Sequence, residues 1–210
     1  MKLHGTGDTL RFGAPLAEAS GAVILVHGRG SSPDDIAGLA DHLPSEGIAF
    51  LAPAAEGGTW YPQRFMMPLA ANEPWLSSAL EVLGALAAEA QAAGIGAEKL
   101  GLIGFSQGAC LSLEFAARNP RRYRFVAGLS GALIGPPDTP PPQGDLRGTP
   151  VLLGCAERDA HIPLDCVERS AAALSRMGAD LTKVIFPGSA HTVFPEEMAW
   201  LNRQLGREGR

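Results

Sequence analysis

The sequence predicts an α/β fold in which helices cover both faces of a mostly parallel central sheet. Short, β-branched apolar runs such as the one at 22–26 alternate along the chain with helix-like stretches. The run at 22–26 is uniformly apolar, which is typical of a strand buried on both faces. Of the 210 residues, 46% are hydrophobic, and no repeat or linker divides the chain. Residues 1–210 are therefore predicted to form a single domain around one core.

The predicted elements are bounded by capping and breaking residues. The first helix begins after Ser32, a plausible N-cap that Pro33 follows, and the longest helix ends at Gly94. Strands are predicted at 22–26, 48–51, 99–104, 125–129, 151–154 and 181–186. Besides the helix after Ser32, helices are predicted at 75–93, 107–118, 164–177 and 194–205, and the proline-rich residues 135–142 form a loop.

Residues 53–74 match no regular element, because they combine Gly57-Gly58 with prolines and bulky side chains. A long loop in a compact domain is unusual and is often functional. We predict that four of its large side chains, Trp60, Tyr61, Phe65 and Met66, line a substrate pocket, with core filling as the alternative. The Arg64 side chain is expected to be solvated; the alternative is that it pairs with a carboxylate on the substrate. The large side chains are Trp60, Tyr61, Phe65, Met66 and Met67.

Composition argues against several classes of function. The formal net charge is −5 without any basic run, whereas binding of nucleic acid needs clustered Lys and Arg. No apolar run approaches the roughly 18 residues of a membrane span, and residues 1–12 lack the apolar segment of a signal peptide. The cysteines, Cys110, Cys155 and Cys166, have no metal-type spacing. The chain is therefore expected to be cytoplasmic, with reduced thiols and without stable membrane insertion.

The segment Gly104-Phe-Ser106-Gln-Gly108 matches the Gly-x-Ser-x-Gly pattern of a nucleophile elbow. Such an elbow turns so sharply that glycine is needed two residues before and after the serine, whose hydroxyl then projects clear of the backbone. Because short motifs also arise by chance, a glycine-rich turn with an incidental serine is the alternative. The position between a predicted strand and a predicted helix favours Ser106 as a nucleophile.

An acid and a base are expected to follow the nucleophile, each on a loop just after a strand. Only two histidines follow Ser106, and His191 comes directly after the last predicted strand. His161 is a poorer base because it lies two residues from Asp159, the predicted orienting acid, which follows the strand at 151–154. Two other carboxylates remain as alternatives for the acid, Glu157 and, more weakly, Asp165.

The segment His27-Gly-Arg29-Gly30 follows the first predicted strand of the sheet. Its glycines allow the backbone to approach a substrate closely, so the N–H of Arg29 is predicted to form an oxyanion hole with the N–H of Gln107. The Arg29 side chain is expected to be solvated or at the rim of the pocket. His27 is expected to form structural hydrogen bonds; the alternative is that it acts as a second base.

These motifs resemble the phospholipase/carboxylesterase family of α/β-hydrolases, which includes acyl-protein thioesterases and small bacterial carboxylesterases. In addition, Trp60-Tyr61 falls where this family tends to have an aromatic pair. The residues that carry the resemblance are Leu25-Val-His-Gly28 with Gly30, the elbow at 104–108, the loop at 154–163, and Gly188-Ser-Ala-His191.

The resemblance implies an α/β-hydrolase fold and a triad of Ser106, His191 and Asp159, with the Arg29 and Gln107 amides as the oxyanion hole. It implies cleavage of a small-molecule carboxylic ester without metal or cofactor, and leaves the choice between ester and thioester open. Family members commonly carry a hydrophobic residue at the position of Arg29, so this residue argues against a long-chain, lipid-like substrate. A homodimer is implied only by analogy with the family.

Two other classes of function remain open. Amidases and acyltransferases use the same fold and triad, because neither feature specifies the leaving group. A binding protein that kept the fold without catalysis is the alternative outside enzymes. Such a protein would be expected to lose a triad residue, and none of the predicted triad residues is missing.

Overall fold

The computed structural model describes residues 3–206, which are built around a seven-stranded sheet. The strands lie in the order β1-β3-β2-β4-β5-β6-β7; β2 to β7 run parallel, and β1 pairs antiparallel with β3 at one edge. The prediction of a mostly parallel sheet is confirmed. The strands are β1 (Leu10–Gly13), β2 (Gly21–Val26), β3 (Ile48–Ala52), β4 (Leu100–Phe105), β5 (Phe125–Leu129), β6 (Pro150–Ala156) and β7 (Asp180–Phe186).

Helices cover both faces of this sheet, as predicted. Ile24 and Val26 of β2 belong to an apolar cluster with side chains of α2, α3 and α4, whereas Val23 and Leu25 face a second cluster with α1 and α5. This alternation follows from the two-residue period of a strand, and it explains why β2 is apolar at every position. The helices are α1 (Pro33–Ala37), α2 (Trp75–Ala92), α3 (Gln107–Arg118), α4 (Leu164–Arg176) and α5 (Pro195–Leu205).

The structure departs from the sequence prediction at strands β1 and β6 and at helix α1. Strand β1 was not predicted, because its four residues alternate between half-buried and exposed positions and its pairing with β3 brings together distant parts of the chain. Strand β6 extends from Pro150 to Ala156, beyond the predicted 151–154, since it pairs along its whole length with β7. Helix α1 has only five residues, and Ser32 caps it through the N–H of Asp35.

Four of the connections that follow the parallel strands carry the predicted triad residues and the predicted oxyanion-hole residues. Ser106 follows β4, His27 to Gly30 follow β2, Asp159 follows β6, and His191 follows β7. The carboxyl ends of parallel strands meet at one edge of a sheet, so these segments converge although they are distant in sequence. No helix within residues 3–206 combines the length and the apolar character needed to cross a membrane.

Candidate active site

Ser106 occupies a strained turn between β4 and α3. Its backbone has φ 54° and ψ −116°, a conformation that residues other than glycine rarely adopt. The strain is held in place because the Ser106 N–H donates to the Leu129 carbonyl at 2.9 Å and the Ser106 carbonyl accepts from the Cys110 N–H at 3.1 Å. Such strain is concentrated at functional sites, where it directs a side chain to a defined point.

A chain of two hydrogen bonds connects the predicted nucleophile, base and acid. The Ser106 hydroxyl donates to Nε2 of His191 at 2.8 Å, and Nδ1 of His191 donates to Oδ2 of Asp159 at 2.6 Å. His191 is separated from Ser106 by 85 residues and from Asp159 by 32. The His191 side chain is 21% exposed and that of Asp159 is fully buried, so the base lies at the solvent boundary and its orienting group lies behind it.

Asp159 is held as an anion by its own loop. Burial alone would raise the pKa of its carboxyl, but hydrogen bonds from His191 and from the N–H groups of His161 and Ile162 outweigh burial and lower it. Those two N–H groups donate to Oδ1 at 2.7 and 3.1 Å, which leaves Oδ2 for His191. A carboxylate fixed in this way keeps one imidazole tautomer and stabilises the imidazolium that forms when His191 takes a proton.

The other candidates for acid and base lie elsewhere or face another partner. The side chain of Glu157 is exposed, and Asp165 lies in the first turn of α4, where it pairs with Arg169. His161 is also exposed; its ring centroid is 4.7 Å from that of His191, and its backbone N–H supports Asp159. His161 therefore lies beside the hydrogen-bonded chain without being part of it.

The glycine-rich loop after β2 lies against the elbow. A Cβ added to Gly28 would be 3.5 Å from Cβ of Ser106, and Gly28, Arg29, Ser106 and Gln107 line the same cavity. Within residues 3–206, neither the Arg29 N–H nor the Gln107 N–H has a hydrogen-bond acceptor. Two unpaired donors beside a serine hydroxyl are the arrangement that an oxyanion hole requires.

The Arg29 side chain holds one wall of the cavity. It is exposed, as expected for the rim, but its guanidinium donates to the carbonyls of Tyr61, Pro62 and Gln63 at 2.9, 3.1 and 2.7 Å. The Gly30 N–H adds a backbone bond of 2.7 Å to the carbonyl of Gly58. Arg29 therefore links the loop after β2 to the loop at 53–74, a role that the sequence did not indicate.

The Gln107 side chain also hydrogen-bonds to this wall. Its Oε1 accepts from the Trp60 N–H at 2.9 Å, and its Nε2 donates to the Tyr61 carbonyl at 2.8 Å. The two residues predicted to supply the oxyanion hole therefore both clamp residues 60–63 through their side chains. This shared anchor restrains both N–H groups relative to the cavity wall.

The His27 side chain supports the loop after β2, and both of its ring nitrogens form hydrogen bonds in this role. Its Nδ1 donates to the Gly28 carbonyl at 2.7 Å, and its Nε2 accepts from the Ala55 N–H at 3.1 Å. Burial lowers the pKa of this imidazole, which keeps the ring neutral and Nε2 available as an acceptor. Because both ring nitrogens are used, His27 fits the expected structural role and is not free to act as a second base.

The cavity beside Ser106 has a volume of about 450 Å³. Of the side chains predicted to form a pocket, Tyr61 and Phe65 line it, together with the predicted triad residues Ser106 and His191. Several lining residues were not predicted as such, although Phe105 lies within the elbow motif and Cys110 shortly after it, so their closeness to Ser106 in the sequence was a usable signal. These additional lining residues are Ser31, Pro62, Gln63, Phe105, Cys110, His161 and Ile162.

The prediction that Trp60 and Met66 line the pocket is wrong. Trp60 is completely buried beneath the loop after β2, and its indole Nε1 donates to the His27 carbonyl at 2.9 Å. Met66 is half-buried and packs on the main core cluster, while Met67 is 43% exposed, and none of the three lines the cavity. The indole fills the space between two loops because its large apolar surface is better removed from water.

The thiol of Cys110 lines the cavity but is not positioned to act as a nucleophile. It lies in α3 within the main core cluster. Burial raises its pKa to about 12, so the reactive thiolate is absent at neutral pH. Cys110, Cys155 and Cys166 are all buried and form no disulfide.

Glu197 of α5 is a buried carboxyl group close to β6, the strand that Asp159 follows. One oxygen accepts from the Phe194 N–H at 2.7 Å, and the other has no hydrogen-bond partner within residues 3–206. Gly154 of β6 makes room for it, because a Cβ there would lie 1.9 Å from Oε1 of Glu197. Burial raises the pKa of Glu197 to about 7; the Phe194 N–H opposes this shift and the Glu196 carboxylate adds to it.

Glu197→Gln is expected to change how stability depends on pH. An unfolded chain loses the Glu197 proton near pH 4.5, whereas the folded protein keeps it up to about pH 7. The free energy of unfolding of the native protein therefore falls as pH rises through this window, by about 3 kcal/mol for this group. The variant lacks that loss. Urea unfolding at several pH values measures the difference, and Glu46→Gln, at an exposed position, is the control. If the free energy of unfolding depends on pH in the same way for Glu197→Gln and the native protein, the raised pKa of Glu197 is contradicted.

The family model described as Phospholipase/Carboxylesterase matches residues 8–206. The crystal structure of a phospholipase/carboxylesterase from Dyadobacter fermentans DSM 18053 is similar over 99% of both chains, with 37% sequence identity and a TM-score of 0.94. The crystal structure of esterase PE8 is similar over 95% of this chain and 97% of that one, with 27% identity and a TM-score of 0.76.

Similarity to curated proteins is more partial. Acyl-protein thioesterase 1 of Gibberella zeae is 33% identical over 119 residues, which cover 53% of this chain and 51% of that protein. The chain spans about half the length of the curated relatives it matches. The similarity to the Dyadobacter structure, in contrast, extends over 99% of both chains.

Proposed function

The chain belongs to the phospholipase/carboxylesterase family and has an α/β-hydrolase fold, and from this premise we propose that it is a serine hydrolase that cleaves small carboxylic esters. The observation that carries the proposal is the continuous pair of hydrogen bonds from Ser106 through His191 to Asp159. The cavity beside Ser106, about 450 Å³ in volume, is within the usual range for small-molecule sites.

In the proposed reaction, the Ser106 hydroxyl attacks the acyl carbon while Nε2 of His191 accepts its proton. The new oxyanion is stabilised by the N–H groups of Arg29 and Gln107, and Asp159 stabilises the imidazolium. His191 then gives its proton to the departing alcohol as the tetrahedral intermediate collapses to an acyl-enzyme. Water, activated by the same imidazole, attacks the acyl-enzyme and releases the acid and Ser106. These steps need no metal or cofactor.

A fluorophosphonate probe tests the assignment of the nucleophile. The proposal expects a covalent adduct on Ser106, located by peptide mass spectrometry, together with hydrolysis of p-nitrophenyl esters of increasing acyl length. A matched thioester series measures the preference between ester and thioester. A folded protein without an adduct and without turnover of any ester would favour the binding-protein alternative.

Two histidine variants make the labelling experiment specific. His191→Ala removes the proposed base, so the adduct should form far more slowly or not at all. His42→Ala removes an exposed histidine in the turn between α1 and β3 and should label like the native protein. Equal labelling of both variants would contradict the role of His191.

Arg29→Ala is expected to lower kcat/KM for neutral esters by about tenfold, although the backbone N–H remains. The variant loses the three bonds to Tyr61, Pro62 and Gln63, and small displacements of catalytic donors are costly in rate. Arg29→Lys should restore little, because one ammonium nitrogen cannot replace the two guanidinium nitrogens that reach these carbonyls. Steady-state kinetics and thermal unfolding, recorded together, separate positioning from stability.

The control for this prediction is Arg203→Ala, which removes an exposed arginine on α5. A purely structural role for Arg29 would lower the melting temperature and leave kcat unchanged at temperatures where the variant is folded. Equal kcat values for Arg29→Ala and the native protein would therefore exclude a positioning role.

A further inference from the structure

The described residues that line the cavity beside Ser106 include two cationic side chains and no carboxylate. Arg29 and Arg64 both line it, and no Asp or Glu within residues 3–206 does. The chain as a whole has the opposite balance, with 22 acidic and 17 basic residues. A cleft lined by charges of one sign concentrates its electric field and attracts ligands of the opposite sign.

Arg64 is exposed, as expected from the sequence, and it differs from Arg29 in that most of its guanidinium N–H groups form no hydrogen bond within residues 3–206. Its Nη2 makes one long hydrogen bond, 3.3 Å, to the Ala160 carbonyl. The remaining guanidinium N–H groups have no acceptor within residues 3–206, and neither arginine forms an ion pair there. Since Ala160 directly follows Asp159, the Arg64 side chain reaches from one loop at the cavity to the loop that carries the acid.

The backbone that carries Arg64 is held firmly. Asn72 is fully buried; its Oδ1 accepts from the Gln63 N–H at 2.8 Å and its Nδ2 donates to the Arg64 carbonyl at 3.3 Å. The next residue, Phe65, accepts a backbone hydrogen bond of 2.8 Å from Gly135. A cation presented on a restrained segment loses less freedom when it binds a ligand.

We propose that the substrates of this site are small esters that carry a carboxylate remote from the scissile bond, and that Arg64 binds this carboxylate. The proposal rests on the proposed esterase function and specifies its substrate class. A guanidinium with free N–H groups pairs well with the two oxygens of a carboxylate. Arg29 contributes positive potential, while its own donors remain on the cavity wall.

Two isosteric pairs of esters test the proposal. Monoethyl adipate and its primary amide differ by a charge on the acyl side, while 4-acetoxybenzoate and 4-acetoxybenzamide differ by a charge on the leaving group. We expect kcat/KM to be higher for the anion in at least one pair, by about fivefold at low salt. The side on which the preference occurs identifies where the carboxylate binds.

Ionic strength provides a test within the native protein. The Debye length falls from about 30 Å at 0.01 M to about 3 Å at 1 M salt. The ratio of kcat/KM between anion and amide should therefore decline towards one as salt is added, and the rate for the amide should change little. This measurement does not depend on a variant that folds.

Variants assign the preference to Arg64. Arg64→Gln should bring the ratio close to one, and Arg64→Lys should keep part of it because the charge remains without the planar guanidinium. Arg203→Gln removes an equal charge from α5 and should keep the native ratio. A ratio that survives Arg64→Gln unchanged would overturn the assignment.

The neutral esters separate failure of this inference from failure of the proposed function. Turnover of the amides with a fluorophosphonate adduct on Ser106, but with no preference for either anion, would overturn the carboxylate site and leave the esterase function intact. Absence of both the adduct and the turnover of all these esters would overturn the two proposals together.

Discussion

Ser106→Ala is expected to lower kcat/KM for ester hydrolysis by about 10³- to 10⁶-fold. The variant lacks the oxygen that attacks the acyl carbon, whereas the N–H groups of Arg29 and Gln107 still bind the substrate carbonyl. Stability should change little, because Ala and Ser share the same penalty at φ 54°. Stopped assays with the p-nitrophenyl ester panel, with the uncatalysed rate subtracted, measure the loss.

A double variant distinguishes a catalytic unit from independent contributions. His191→Ala alone should cost about as much as Ser106→Ala, and the Ser106→Ala/His191→Ala protein should be no slower than either single variant, because proton transfer and attack form one step. Multiplied losses in the double variant would show that the two residues act separately. Retention of more than about a tenth of the activity in Ser106→Ala would remove Ser106 from the mechanism altogether.

Gly108→Ala is expected to destabilise the fold by about 3 kcal/mol or more and to abolish activity. A Cβ at this position would lie 2.1 Å from the Val26 carbonyl oxygen, and that of Gly104 would lie 2.2 Å from the Gly108 carbonyl oxygen. The start of α3 is therefore pressed against the end of β2, and backbone atoms cannot move aside as a flexible side chain would. Urea unfolding and fluorophosphonate labelling of the variant measure both effects.

Gly84→Ala is the matched control for this substitution. Gly84 lies in α2, and an added Cβ would meet nothing nearer than the Phe115 ring at 3.9 Å. Alanine is favoured over glycine inside a helix by about 1 kcal/mol, so this variant should be as stable as the native protein or slightly more stable. A similar loss of stability in both variants would show that close backbone contact at the elbow is not the cause.

The sequence predicts much of the sheet because strands β2 to β6 contain no charged residue and the ends of the helices are well marked. The boundaries of α3 and β5 coincide with the predicted ones, and α2 ends one residue earlier than predicted. Strand β1 could not be predicted from the sequence, since Leu10–Gly13 is short and combines apolar residues with a charged one. It exists through its pairing with β3, and that pairing depends on residues about forty positions away, such as Ala52 opposite Leu10.

The candidate site could be predicted from the sequence to a similar extent. The elbow motif and the position of Asp159 and His191 after strands predicted three residues that the fold brings into hydrogen-bond contact. The loop at 53–74 gave no such signal for individual residues. Its aromatic side chains indicated a pocket, but nothing in their spacing distinguished Trp60, which is buried, from Tyr61 and Phe65, which line the cavity.

The sequence by itself determined the elements of this protein, the order of its candidate catalytic residues and the sharp turn at Ser106, because these depend on short-range patterns of apolar residues and glycines. Only the tertiary structure decided what the long side chains do. Arg29 reaches carbonyls 32 to 34 residues away, and Arg64 reaches Ala160 across 96 residues. Such contacts depend on how loops pack over the edge of the sheet, where several partners lie within reach of one flexible side chain and the packed backbone selects among them.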